Sequence, residues 1–244
     1  MRLSTVEAMH IPDDIPVVIL CGGMGTRMAG ATHDSKPKHL LQVNGKTILE
    51  YALEPFLSAT EIILAVGHHS DQIEAFANRR FGRKVKYSRD VKPTGSMRAL
   101  SRAVTEHEVA GRFIFANGDD VTPGFAVMPM LADHNESGAE LTILATTKIP
   151  RVEDFVLTTD ALKRATSLRR AGQRLTNIAP KPVSYGIGTF ICEQSALSTL
   201  DSSPDIEAFM KVMLNSRRLG VHAVELDYFN INQPADLQLF TEAR

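Results

Sequence analysis

The stretch PVVILCGGMGTRMAGATHDSKPKHLLQVNGKTILEY, residues 16–51, joins an apolar run to a glycine loop and then to a helical pattern. Val17 to Cys21 are apolar without interruption, as expected of a strand covered on both faces of a parallel sheet. Gly22, Gly23 and Gly25 end that run. Glycines directly after a strand let backbone N–H groups approach an anion that side chains would obstruct. Farther on, Leu49, Leu53, Phe56 and Leu57 fall at i, i+4, i+7 and i+8, which predicts a helix over 47–58.

The alternation continues outward. Glu61 to Val66 is a second short apolar run, and Ser70 is placed to cap a helix with Ile73, Phe76 and Ala77 on one face and Gly82 at its end. A short strand near 85–87, a helix with Leu100, Ala103 and Val104 turned inward, and a strand over Arg112 to Asn117 follow. Strands alternating with helices imply an α/β, doubly wound, mostly parallel sheet of Rossmann-like type, with ligands at the carboxyl ends of its strands. From about residue 150 the pattern changes. Phe155 to Thr159 and Tyr185 to Cys192 read as strands, and the Arg-rich stretch Arg164 to Arg174 between them reads as a solvated loop. Helices are expected near 204–216 and at the C-terminus, where Pro234 suits a first turn and Leu237 and Phe240 share a face.

Composition narrows the function. With 244 residues and 43% hydrophobic content the chain can bury a substantial core. A formal net charge of −1 provides no global field for nucleic acid or an anionic membrane, so an anion must be bound by a local site. Two cysteines, Cys21 and Cys192, form neither a disulfide framework nor a metal cluster and fit a reducing cytoplasm. Neither an export signal nor a run of about 20 apolar residues is seen, so a soluble, unexported protein without membrane partners is expected. Self-association into a homo-oligomer is left open. His68 and His69 lack metal-binding spacing and read as a surface pair.

The glycine loop differs from two familiar phosphate loops. A dinucleotide fingerprint needs Gly or Ala where Met28 stands, and no GxxxxGK[ST] spacing occurs. What remains is a glycine loop with Arg27 inside it and Lys38 at its far end. These two permanent cations suit a polyphosphate better than a single carboxylate.

Gly22-Gly23-Met24-Gly25-Thr26-Arg27, Pro37-Lys38-His39-Leu40-Leu41, Gly45-Lys46 and Leu49-Glu50-Tyr51 together closely resemble the signature of the sugar-phosphate nucleotidyltransferases, the NDP-sugar pyrophosphorylase-like family. The resemblance implies a glycosyltransferase-A-like nucleotidyltransferase fold. In it the loop around Leu20, Gly22, Gly23, Gly25 and Thr26 wraps the nucleotide, and Arg27 and Lys38 hold the triphosphate. Pro93-Thr-Gly95-Ser96 is similar to the family's nucleobase loop, and Asn117-Gly118-Asp119 to the segment that supplies a magnesium-binding carboxylate, with Asp120 a variable neighbour. Tyr228 to Leu237 looks like the closing motif whose acid completes the Mg²⁺ site. Asn230 stands at that position, a carbonyl donor one charge poorer.

The sugar side matches less well. Ala179-Pro180-Lys181-Pro182 resembles the segment that puts a lysine, here Lys181, on the acceptor phosphate, but Pro180 replaces its glutamate. Phe155-Val156-Leu157 and Gly186-Ile187-Gly188 resemble two further family motifs, each with one residue lost. The implied organisation is a polar tail over 1–15 and one domain over 16–244. Within the domain, 16–149 is the nucleotide-binding half, 150–228 the acceptor-phosphate lobe, and 229–244 the metal-site segment with its closing helix.

The implied reaction couples an NTP to a sugar 1-phosphate, giving an NDP-sugar and pyrophosphate by in-line attack on the α-phosphate. Such transfer depends on alignment and charge neutralisation. The attacking phosphate, with a second pKa of about 6, is already ionised and needs no general base. Two alternatives stay open: a cytidylyltransferase for a polyol or amino-alcohol phosphate, encouraged by Asn230 and the altered sugar side, and a catalytically silent nucleotide-binding subunit. A glycosyltransferase would lack the GTR…PK signature.

Overall fold

The computed structural model describes residues 10–23, 28, 36–90, 95–148, 155–170 and 183–243. In chain order the elements are β1 (Val17–Cys21), β2 (Gln42–Val43), β3 (Lys46–Thr47), α1 (Ile48–Leu53), β4 (Ile62–Val66), α2 (Ser70–Phe81), β5 (Val85–Arg89), α3 (Ser96–Glu106), β6 (Arg112–Asn117), β7 (Asp120–Val121), α4 (Val127–Ser137), β8 (Leu141–Thr146), β9 (Phe155–Thr159), β10 (Ala165–Arg170), β11 (Val183–Glu193), α5 (Leu197–Ser202), α6 (Ile206–Asn215), β12 (Leu219–Val224), β13 (Phe229–Asn230) and α7 (Pro234–Glu242).

The fold is the expected doubly wound α/β type. Among the described residues nine strands form one mixed sheet. β5, β4, β1 and β6 run parallel. β11 pairs antiparallel with β6 through Thr189 to Glu193 and with β9 through Val183 to Gly186. Its other edge takes β8, which pairs parallel with β12. This long strand therefore links the parallel half to the β9–β10 hairpin.

The strand period of two divides the core. Val17, Ile19 and Cys21 face Leu49, Leu53, Ile73, Val127 and Met130, whereas Val18 faces Leu100, Val104, Phe209 and Met213. Burying such side chains contributes roughly 1.5–3 kcal/mol each before entropy is counted. A third cluster joins Ile48 and Tyr51 of α1 to Val121, Ile231 and Phe240. There Phe240 meets the Tyr51 ring edge-on, with centroids 5.0 Å apart, and Phe229 lies 5.1 Å from it. Through this cluster α7 anchors β13, and with it the segment 230–232, to the body of the fold.

Several expectations are corrected. The helix predicted over 47–58 starts with a capping box, Glu50 N to Thr47 Oγ1 at 3.2 Å and Thr47 N to Glu50 Oε2 at 2.8 Å. It is α-helical only through Leu53, because Pro55 has no N–H to donate and the chain tightens into a 3₁₀ turn over Glu54–Phe56. Ser70 does not cap α2. His69, held in a left-handed conformation at φ 58°, precedes the helix, and Ser70 is its first residue, bonded to Gly67 O at 3.1 Å. His68 is exposed, as expected.

The Arg-rich loop is in part a strand. Residues 165–170 form β10, which pairs with β9 so that Arg170 faces Phe155 and Leu168 faces Leu157. Its polar composition is that of an edge strand. Within the polar tail, Ile11 and Ile15 are buried in the core and Ile11 N donates to Ser58 Oγ at 3.2 Å. Among the described residues no helix is long and apolar enough to cross a membrane.

Candidate active site

A cavity of about 570 Å³ opens at the carboxyl ends of the parallel strands. Leu20 near the end of β1 with Gly22 and Gly23 after it, and Asn117 at the end of β6 with Asp119 after it, line the cavity, with Gly95 and Ser96 at the start of α3. Glycine is required where loops close on each other. A Cβ on Gly67 would stand 2.9 Å from Gly22 O, and one on Gly118 would stand 2.6 Å from Cys21 Sγ. Gly95, at φ 100°, turns the chain into α3 in a conformation that side-chain-bearing residues rarely adopt.

The polar side of the cavity is built by the two-stranded ribbon of β7 and β13, which sets Asn230 opposite Asp120. Ile231 N bonds Asp119 O at 3.0 Å. Asp236, in the first turn of α7, accepts from Asn232 N at 3.0 Å and Gln233 N at 2.9 Å, fixing the backbone beyond the ribbon. Lys38 sits in a 3₁₀ turn over Lys38–Leu40 that is held by buried Leu40. Its ammonium forms an ion pair with Asp119 Oδ2 and donates to Asn232 Oδ1 at 3.0 Å. Asn232 Nδ2 in turn donates to Asn230 Oδ1. Asn230 Nδ2 donates to Tyr228 Oη at 3.2 Å, and Tyr228 Oη to Asp120 Oδ1 at 2.6 Å. Asn117 Nδ2 binds the other Asp120 oxygen at 2.7 Å.

The neighbouring titratable groups are held in neutral forms. Burial pushes the His39 imidazole down to about 4, helped by the Lys38 charge and opposed by Asp119. Burial also pushes the Cys21 thiol far up, with Asp119 adding to the shift. At neutral pH neither is a charged acid, a thiolate or a poised base, so what the site offers a reactant is fixed charge and amide dipoles.

Asp119, Asn230 and Asn232 bring one carboxylate and two side-chain amides to the cavity lining, whose oxygens are the donor type a hard cation such as Mg²⁺ takes. Among the described residues no three His, Cys, Asp or Glu side chains group as a metal cage. Mg²⁺ is usually held by one or two carboxylates, with phosphates and water completing its shell.

The model of the MobA-like NTP transferase domain matches residues 17–181. The chain belongs to this family. A D-glycero-alpha-D-manno-heptose 1-phosphate guanylyltransferase of Campylobacter jejuni is 36% identical to this chain over 90 residues, covering 36% of this chain and 40% of the relative. The match thus spans well under half of that curated relative. Among solved structures, the inositol-1-phosphate CTP transferase of T. maritima superposes with a TM-score of 0.73 at 15% identity, covering 92% of each chain. HddC from Yersinia pseudotuberculosis, complexed with GMP-PN, gives 0.68 at 19% identity, covering 94% of this chain and 99% of that one. These two likenesses concern the fold.

The fold brings together Leu20, Gly22, Gly23, Lys38, Gly95, Ser96, Asn117, Asp119 and Asn230 around one cavity. Gly25, Thr26, Arg27 and Lys181 lie outside the described residues. Lys36 is exposed. Asp120, the neighbour of Asp119, is only 3% exposed, and Asn117 and Tyr228 both bond its carboxylate. Sequence reading missed Asn232, Tyr228 and Arg170 as site residues. Two asparagines at i and i+2 carry a faint signal, since such residues share a side in extended chain. Arg170 was hidden by the loop reading of its strand. It lines the cavity, as do Phe155, Gly186 and Ile206.

Proposed function

We propose that the chain is a sugar-1-phosphate nucleotidyltransferase that joins an NTP to a sugar 1-phosphate and releases pyrophosphate. The observation that carries this reading is the meeting of Lys38, Asp119, Asn230 and Asn232 in the lining of a cavity that Gly22 and Gly23 also line. Gly22 and Gly23 offer backbone close to the phosphates, and Lys38 neutralises charge on the leaving pyrophosphate. Arg27 is assigned the same task from its place in the signature. Mg²⁺, held by Asp119 and Asn230, would add charge stabilisation at the α-phosphate. Phe155, Arg170, Gly186 and Ile206 form the acceptor end, and Lys181 is assigned to the acceptor phosphate. Because that phosphate is already a dianion above a pKa of about 6, the chain needs to align it rather than deprotonate it. Buried neutral His39 and Cys21 agree with chemistry that uses no side-chain base or nucleophile.

The name of the Campylobacter relative, a guanylyltransferase for a heptose 1-phosphate, supports a sugar acceptor over an alcohol phosphate and puts GTP first among donors. The test is pyrophosphate release from ATP, GTP, CTP, UTP and dTTP, each against sugar 1-phosphates and polyol or amino-alcohol phosphates, with and without Mg²⁺. Turnover of one NTP with a sugar 1-phosphate only when Mg²⁺ is present is the expected result. Release with no acceptor of the panel would overturn the proposal.

A further inference from the structure

The hydrogen bonds between Lys38 and Asp120 all run in one direction. The Lys38 ammonium can only donate, and it donates to Asn232 Oδ1. Asn232 Nδ2 donates to Asn230 Oδ1, and Asn230 Nδ2 to Tyr228 Oη. Tyr228 Oη donates to Asp120 Oδ1, and an ionised carboxylate can only accept. With a donor-only group at one end and an acceptor-only group at the other, neither amide can reverse without setting donor against donor. Tyr228 is the element that transmits this from the Asp120 end: its single proton goes to Asp120, leaving an oxygen lone pair to take the Asn230 NH₂.

We propose that Tyr228, held by Asp120, is a positioning residue that locks the Asn230 amide with its carbonyl oxygen turned toward the Asp119 side of the cavity, ready to ligate a divalent cation. An aspartate in that place has two equivalent oxygens and needs no such lock. An asparagine has one oxygen and one NH₂ and offers the wrong end if it flips. The departure from the family's acid at 230 thus comes with its own compensation, built from Tyr228 and a buried carboxylate. Asp120 is itself fixed from three sides. Asn117 bonds its second oxygen at 2.7 Å, Tyr228 bonds its first, and Gly188 of β11 has no side chain because a Cβ there would overlap Asp120 Oδ2.

The inference rests on the reading of Asp119 and Asn230 as metal ligands, and its test separates the two. Mn²⁺ alone is titrated into the full chain and free ion is read from its EPR signal, so turnover is not required. Groups that orient a metal ligand typically contribute about 10–100-fold to metal affinity. Tyr228→Phe, which keeps the ring and removes the hydroxyl, is expected to weaken Mn²⁺ binding at least ten-fold at an unchanged melting temperature. In an Asn230→Asp background the same change is expected to shift it less than three-fold, a contrast that a merely structural tyrosine would not produce. Asp119→Ala is expected to abolish the site. Equal weakening by Tyr228→Phe in both backgrounds, or none in either, would overturn the positioning role while the Asp119 result still upholds the metal site. Mn²⁺ binding untouched by Asp119→Ala would overturn both.

Discussion

Lys38 and Asp119 stand 81 residues apart in the chain and meet as an ion pair whose side chains are each 11% exposed. One comes from the turn over Lys38–Leu40 and the other follows the central strand β6, and both line the cavity. Charges this little hydrated are costly to leave unpaired. They are also stronger toward a reactant than the same charges in water. Lys38→Met is therefore expected to lower turnover about 10²–10³-fold, as for loss of one preorganised electrostatic group. Asp119→Ala should abolish turnover. Steady-state pyrophosphate release by protein with unchanged circular dichroism checks both, and near-wild-type Mg²⁺-dependent release by Asp119→Ala would remove Asp119 from the reaction.

How much of this was legible beforehand follows the range of the forces involved. The strand and glycine loop at 17–23 are dictated by neighbouring residues, and the sheet forms there as the apolar run requires. The convergence of Lys38, Asp119 and Asn230 followed from the resemblance, not from spacing, because the contacts that create it span 81 and more residues. Asn232 had only the faint signal of its i+2 spacing from Asn230, and Tyr228 none, because their roles lie in hydrogen-bond direction beside the β7–β13 ribbon. β10 was misread because an edge strand needs few apolar residues, and its pairing partner β9, not its own sequence, makes it a strand.

Gly188 is one position where absence of a side chain is decisive. A Cβ there would overlap both Asp120 Oδ2 and Asn117 Nδ2. Gly188→Ala is expected to cost about 1–3 kcal/mol, the range for overpacking a filled site. It should also weaken Mn²⁺ binding through displacement of Asp120. Gly186→Ala, whose Cβ would meet Ile143 Cδ1 at 2.6 Å, the movable end of a side chain, should cost less. Urea denaturation of the two variants in parallel tests the ranking.

Arg170 lines the cavity, 3.6 Å from Glu207 and still 65% exposed, at the end proposed above for the acceptor. So exposed a pair holds the side chain only loosely, leaving its donors available to an incoming anion. Arg170→Ala is expected to raise KM for the acceptor phosphate roughly ten-fold, the worth of about one charge-assisted hydrogen bond. KM for the NTP should stay within two-fold. A shift confined to the NTP would place Arg170 on the wrong side of the reaction.

His39 supplies a pH dependence of stability with a definite sign. Its folded value of about 4 lies below the ordinary 6.5, so the folded chain binds fewer protons there than the unfolded chain. Stability from keeping it neutral is therefore complete above pH 6.5 and lost as the pH falls through 6.5 toward 4. A separation of that size corresponds to about 3 kcal/mol at most. Buried His134 shifts in the same downward direction, against the pull of Glu193, and adds to the slope. His39→Gln should flatten the fall in urea midpoint between pH 6.5 and 4 while leaving the His134 contribution in place. A variant whose midpoint falls as steeply as the wild type would show that the imidazole gains its proton without unfolding cost.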